Sequence, residues 1–168
     1  MSSSERDENS LSTHPFLRDL AGPTLEHLEG CCEEREFAAG DDVLRIGEQA
    51  DGMYLLTRGR VALQVPAAGG RVLTVDTVDG GGVVGWSWLV EPYRWQFDGQ
   101  AVTEVTAIFL SKRCLEGAFE RDPAFGVAVL RRFAAVIADR LGHTRVRLLD
   151  VYGSQVDDPP AAEGGVTL

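Results

Sequence analysis

The residues best suited to chemistry lie between Gly85 and Trp95, a stretch that contains all three tryptophans of the chain. Aromatic rings can stack on a flat ligand, and a guanidinium beside them can bind an anionic group. Tryptophan also buries a large apolar ring, so the same cluster is typical of a dense part of a core. The sequence leaves open both a binding surface and an aromatic plug. The side chains concerned are Trp86, Trp88, Tyr93, Arg94 and Trp95.

Residues that could support catalysis are sparse. His14, His27 and His143 all lie outside the predicted strands, so they cannot supply the imidazoles of a barrel metal site. Ser87 precedes Trp88 and is not in a nucleophile elbow, which favours a strand or loop hydroxyl over a nucleophile. The sequence therefore predicts no enzyme, no catalytic residue, no metal and no resident cofactor.

The three cysteines give neither an even disulfide framework nor a spaced metal motif. Cys31 and Cys32 are adjacent, which is poor geometry for a bond between them. We expect all three to be thiols in a reducing compartment, with Cys114 buried on an amphipathic helix.

Composition limits the partners. The 168 residues include 26 acidic and 16 basic side chains, and the net charge of −10 opposes binding to DNA and to anionic membranes. No apolar run reaches the roughly 18 residues of a membrane span, and the amino terminus lacks the features of a signal peptide. One domain in the cytoplasm, without DNA or membrane partners, is expected.

Hydrophobic periodicity divides the chain into regions that must position the aromatic cluster. Residues 1–12 and 153–168 are polar or rich in Pro and Gly, and are predicted to be disordered tails. Within the folded part, 13–152, two short helices precede a region of about 36–110 in which short alternating strands predict a β-barrel. A short helix ending at Asp122 and a long helix over about 124–150 follow.

Glycine spacing in residues 37–63 carries a resemblance to a known family. Gly40, Gly47 and Gly59 stand seven and twelve residues apart. This pattern resembles the first half of the cyclic nucleotide-binding domain, found in the catabolite activator protein family, protein kinase A regulatory subunits and nucleotide-gated channels. The resemblance covers about residues 13–150 and implies a jelly-roll β-barrel with flanking helices, mainly β in class. The other matching residues are Phe37, Ala50, Asp51, Met53 and Tyr54.

In that family a phosphate-binding cassette holds the ligand through a Gly-Glu pair and a later Arg-x-Ala. Gly85 matches the cassette glycine, but Trp86 occupies the glutamate position and Trp95 the arginine position, with Arg94 one residue earlier. A cyclic nucleotide or another planar anion is the candidate ligand, and binding of cyclic AMP is expected to be weak. Alternatively, the aromatics plug the cassette. The candidate ligand-binding residues are Gly85, Trp86, Ser87, Trp88, Arg94 and Trp95.

Apolar residues of the long helix repeat every seven positions in two rows, which predicts a coiled-coil seam and a homodimer. Alternatively, the stripe packs on its own barrel, although Phe133 and Val136 lie beside the seam and can do that instead. The seam consists of Leu130, Ala134, Ile137, Leu141, Thr144, Leu148 and Val151.

In the transcription-factor branch of the family a helix-turn-helix domain follows this helix. Sixteen residues follow Tyr152 here, and they contain two adjacent prolines. The sequence therefore predicts a sensor or adaptor without a DNA-reading domain, acting on an unidentified protein effector. A ligand-free structural or interaction subunit on the same barrel is the alternative.

Overall fold

The computed structural model describes residues 11–20 and 22–153, with side chains as far as residue 146. Eight strands form two four-stranded antiparallel sheets, in the orders β1-β8-β3-β6 and β2-β7-β4-β5. The strands are β1 (Cys32–Phe37), β2 (Asp42–Leu44), β3 (Gly52–Arg58), β4 (Arg60–Pro66), β5 (Val72–Asp79), β6 (Val83–Val84), β7 (Asp98–Ala101) and β8 (Val105–Ser111). The helices are α1 (Pro23–Glu29), α2 (Lys112–Arg121) and α3 (Pro123–Gly153). The predicted jelly-roll with flanking helices is confirmed.

Glycine placement explains one of the sharp turns between the sheets. Gly59 joins β3 to β4 with a φ of +89°, a backbone conformation that residues with a side chain rarely adopt. A Cβ at this position would also overlap the carbonyl of Glu104. The turn therefore requires glycine, and it sends the chain from one sheet into the other.

Helices α2 and α3 close one side of the barrel. The Ser111 side chain caps α2 by accepting a hydrogen bond from the backbone N–H of Cys114. Pro123 begins α3, as its fixed φ and missing N–H favour. In α3, Phe133 is buried against Phe16, with ring centroids 4.8 Å apart, so this face of the helix packs on the domain.

The amino-terminal region differs from the sequence expectation. Residues 11–19 form successive turns, and α1 is the one helix that the described residues place before the sheets. Leu11 falls within the predicted disordered tail, but it is buried. The buried imidazole of His14 bonds to Leu56 O and accepts from the Phe16 N–H, contacts that favour a turn over a regular helix. Residues 1–10 and 154–168 of the two predicted tails lie outside the described residues.

The cysteine prediction is also wrong in part. Cys31 and Cys114 form a disulfide, with Cα atoms 6.4 Å apart and a sequence separation of 83. Cys32 is free and half-buried. The reason is topological: β8 leads directly into α2, which brings Cys114 beside the end of α1.

None of the helices in the described ranges combines the length and the apolar character that crossing a membrane requires.

Candidate ligand-binding site

The cassette is the segment between β6 and β7. It begins at Gly85, whose φ of +89° turns the chain away from the sheet, and continues through a 3₁₀ turn over Ser87–Leu89. Ser87 is buried, as is the turn's central residue, Trp88. The sequence-predicted residues of this segment therefore divide between the interior and the surface.

Trp88 belongs to the core. It is 2% exposed, and its ring lies 5.9 Å from that of Phe119 and 6.3 Å from that of Phe133, measured between centroids. Its Nε1 is buried without a hydrogen-bond partner among the described residues. Trp88 thus joins the cassette to α2 and α3 by packing.

Trp95 is buried against the cassette glycine. A Cβ built on Gly85 would lie 2.8 Å from Cζ3 of the Trp95 indole, so the ring occupies the space in front of this glycine. The backbone N–H of Trp95 donates to Glu48 O, and its carbonyl accepts from the Gly47 N–H. These two hydrogen bonds fix the backbone of Trp95, and its indole fills the space beside Gly85.

Arg94 lies on the surface. Its Nη1 donates to the carbonyl of Gly47 at 2.8 Å, and the residue is exposed. Its backbone forms an isolated bridge with Gln49. The guanidinium therefore stabilises the β2–β3 connection.

Trp86 is half-buried and lines an open cavity of about 290 Å³ between the barrel and α3. Of the predicted site residues, Trp86 is the one that lines this cavity. The walls are mainly apolar, with aromatic rings on the barrel side and aliphatic side chains of α3 opposite. The lining residues are Leu63, Val75, Asp76, Trp86, Phe97, Ile137, Arg140, Leu141 and Thr144.

One ion pair interrupts the apolar lining. Arg140 Nε lies 3.1 Å from Asp76 Oδ2, and both side chains are less than one-fifth exposed. Burial lowers the pKa of the Arg140 guanidinium below its ordinary value, an effect that the charge of Asp76 opposes. Arg140 also donates to the carbonyl of Val83. The cation is therefore neutralised and hydrogen-bonded within the chain.

Sequence reasoning missed this pair. Asp76 is one of many acidic residues in an acidic chain, and it lies far from Arg140 in the sequence. A signal was present in the helix, where Arg140 lies three residues after Ile137 and next to Leu141, so that it borders the apolar stripe. A charge on the edge of an apolar stripe indicates a partner on the facing element.

The fold and this cavity define a barrel with an apolar ligand-sized recess against its carboxyl-terminal helix. The family model of the cyclic nucleotide-binding domain matches residues 34–122, which is more than half of the chain. The chain belongs to the cyclic nucleotide-binding domain family. The predicted resemblance is therefore confirmed.

Relatives place the domain in several protein contexts. The chain is 30% identical over 139 residues to the HTH-type transcriptional regulator Cmr of Mycobacterium tuberculosis, covering 83% of this chain and 53% of the regulator. It is 27% identical over 135 residues to Glutaminase 1 of Bradyrhizobium diazoefficiens, covering 80% of this chain and 21% of the glutaminase. The chain thus spans about half of one curated relative and about a fifth of the other.

A solved structure described as a cyclic nucleotide-binding protein from Geobacter metallireducens matches with a TM-score of 0.68 and 26% identity. The match covers 84% of this chain and 99% of that chain. Its near-complete coverage means that a chain of this domain alone has the same fold.

Proposed function

We propose that the chain is a non-enzymatic regulatory sensor whose altered cassette selects a planar, largely apolar ligand over a cyclic nucleotide. The placement of two indoles carries this proposal. Trp95 packs on Gly85, whereas Trp86 lines the cavity. The Trp95 indole fills the space beside Gly85 in which a phosphate would bind. The Trp86 indole offers a surface on which a planar ring can stack.

The phosphate argument begins at Gly85. In the family, the space beside the cassette glycine receives the cyclic phosphate, together with an arginine from the following segment. In this chain Trp95 stands at the arginine position and its ring contacts the glycine. An indole N–H is a single neutral donor, so it cannot replace a bidentate guanidinium. Loss of that contact costs roughly 2–5 kcal/mol in binding free energy.

The charge balance of the cavity supports the same ligand class. Arg140 is the one cation among the described lining residues, and Asp76 neutralises it. Arg94, expected from the sequence to bind an anion, is directed to the Gly47 carbonyl. An anionic ligand would have to break the buried pair, whereas an uncharged ring would leave it intact.

A second candidate function is a ligand-free interaction subunit. The burial of Trp95 against Gly85 favours it, since this ring fills space that a ligand would otherwise occupy. In this alternative the cavity beside Trp86 is closed in the assembled protein by another surface. The two candidates differ in whether Trp86 responds to small molecules.

The output of the sensor is proposed to pass through α3 to a second copy and then to a protein effector in the cytoplasm. Leu130, Ile137 and Leu141 are all exposed in the single chain, which supports a role in self-association. Kinship with a transcriptional regulator supports a regulatory role.

The test is a fluorescence titration with three compounds: cyclic AMP, adenosine and the uncharged planar probe N-phenyl-1-naphthylamine. We expect the naphthylamine to bind with a half-saturation of tens of micromolar, and cyclic AMP to require concentrations at least about tenfold higher. Trp86→Ala should weaken binding of the probe by about tenfold, because one stacking surface is lost. Arg94→Ala is the matched control and should leave binding unchanged.

Submicromolar, saturable binding of cyclic AMP would contradict the proposal. So would a loss of probe binding in Arg94→Ala equal to that in Trp86→Ala. If none of the three compounds changes the emission, the ligand-free subunit becomes the better account.

A further inference from the structure

A second cluster of reactive side chains lies where α1 meets α2. The ligand atoms of His27, Cys31 and Cys114 all lie within 4.8 Å of one another. Cys114 is buried, and the other two residues are half-exposed. Neither the cassette nor the cavity uses any of these residues.

Two parts of the chain that are distant in sequence build this cluster. His27 lies in α1, Cys31 follows its end, and Cys114 is in the first turn of α2. The Thr24 hydroxyl donates to Asp122 at 2.9 Å and so also ties α1 to the end of α2. The cluster therefore forms at a junction that other contacts hold together.

The surroundings favour a metal-binding set of ligands. The positive end of the α2 dipole lies at Cys114 and favours an anionic sulfur, the form of cysteine that binds metal. Ligand atoms around one tetrahedral zinc stand roughly 3.5–4 Å apart, given Zn–S of ~2.3 Å and Zn–N of ~2.0–2.1 Å. All three ligand atoms already lie within 4.8 Å of one another, and the two sulfur atoms, which are bonded in the disulfide, can move apart to this spacing once the bond is reduced.

We propose that, in the reduced chain, Cys31, Cys114 and His27 bind Zn²⁺, and that the Cys31–Cys114 disulfide is the metal-free oxidised form of the same site. Two thiolates and one imidazole match the preference of zinc for sulfur and nitrogen. Because Cys31 and His27 are half-exposed, water reaches the fourth position. The site links α1 to α2 in both states.

The interconversion balances as follows. A dithiol reductant breaks the Cys31–Cys114 bond and supplies two electrons and two protons, becoming a disulfide itself. The two thiols formed then lose their protons to solvent as the Zn–S bonds form. Arg121 donates a hydrogen bond to Nδ1 of His27 at 2.8 Å. Binding of the metal through Nδ1 would require Arg121 to move away, whereas binding through Nε2 would leave this hydrogen bond intact.

The experiment uses the full 168-residue chain, reduced with a phosphine and then freed of metal and excess reagent. Titration with Zn²⁺ against a chromophoric chelator should give about one bound ion per chain, and Co²⁺ should give thiolate-to-metal charge-transfer absorption. The disulfide form should bind neither ion. Cys31→Ser and Cys114→Ser should each weaken zinc binding beyond the roughly 10- to 100-fold cost of losing an outer-shell partner.

Cys32→Ser is the matched control, because Cys32 is a neighbouring half-buried thiol that donates to Glu29 O and is not in the cluster. It should keep the zinc affinity and the cobalt spectrum of the unmodified chain. His27→Ala should weaken zinc binding and shift the cobalt spectrum. Circular dichroism of the same variant checks that it is folded, so that loss of zinc binding is not mistaken for loss of the fold. The proposal fails if the reduced chain retains no zinc, if Cys32→Ser loses as much affinity as Cys114→Ser, or if His27→Ala changes nothing.

Discussion

The indole of Trp95 lies against the Cα of Gly85, so close that a methyl group on that carbon would stand 2.8 Å from the ring. Gly85 also has a φ of +89°. Two independent constraints therefore act on one residue: the backbone conformation and the neighbouring ring. They can be separated by substitution.

Gly85→Ala should lower the free energy of unfolding by roughly 2–5 kcal/mol, through left-handed strain of about 1–2 kcal/mol and overpacking against Trp95 of about 1–3 kcal/mol. Gly40→Ala is the control, since Gly40 has a φ of +94° but a Cβ added to it would meet nothing within 4 Å. It should show the strain alone. Urea unfolding measures the stability of both variants. Equal losses of unfolding free energy in the two variants would show that contact with Trp95 adds no cost at Gly85.

Much of the fold can be predicted because its signals are local. Alternating apolar residues predict the strands, and the spacing of Gly40, Gly47 and Gly59 indicates the family. Pro123 marks the start of α3. Each signal lies within or next to the element that it specifies.

The candidate site is less predictable because its contacts are distant in sequence. Irregular backbone has no period, so the sequence cannot tell that Trp88 and Trp95 turn inward while Trp86 lines a cavity. The Asp76–Arg140 pair and the Cys31–Cys114 bond depend on how strands and helices meet. Only the three-dimensional arrangement brings such residues together.

The three indoles should differ in their access to a neutral quencher. Trp88 and Trp95 are 2% and 5% exposed, whereas Trp86 is half-buried at the cavity wall. Trp86→Phe should therefore remove most of the emission that acrylamide quenches. Trp88→Phe serves as the control and should leave the quenchable fraction intact. Equal quenching in both variants would contradict the assignment of Trp86 to an open cavity.

The exposed stripe on α3 should mediate self-association. Leu141 is 62% exposed in the single chain, and in a dimer seam Leu141→Glu would bury an unpaired carboxylate at a cost of roughly 3–5 kcal/mol. Val146→Glu is a matched control, because Val146 is 58% exposed but lies off the two seam rows. Light scattering at tens of micromolar should report a dimer for the unmodified chain and for Val146→Glu, and a monomer for Leu141→Glu. A monomeric unmodified chain would rule out the seam.

The buried imidazole of His14 should make the fold sensitive to mild acid. Its Nδ1 accepts from the Phe16 N–H, so the proton of the neutral ring is on Nε2, which donates to Leu56 O at 2.9 Å. Burial lowers the pKa of His14 below its ordinary value of 6.5, and the bond to Leu56 O opposes this only in part. The folded chain therefore binds this proton less readily than the unfolded chain.

Because the unfolded state takes up the proton first, the stability that neutral His14 provides is complete above pH 6.5 and declines as the pH falls from there towards the lower folded pKa. The decline is at most about 1.4 kcal/mol per pH unit. His14→Gln cannot titrate, so the difference in unfolding free energy between it and the unmodified chain should narrow between about pH 7.5 and about pH 5.5. His143→Gln, at an exposed position, is the control and should follow the unmodified chain at both values. A constant difference for His14→Gln would mean that the folded and unfolded states bind the His14 proton equally well.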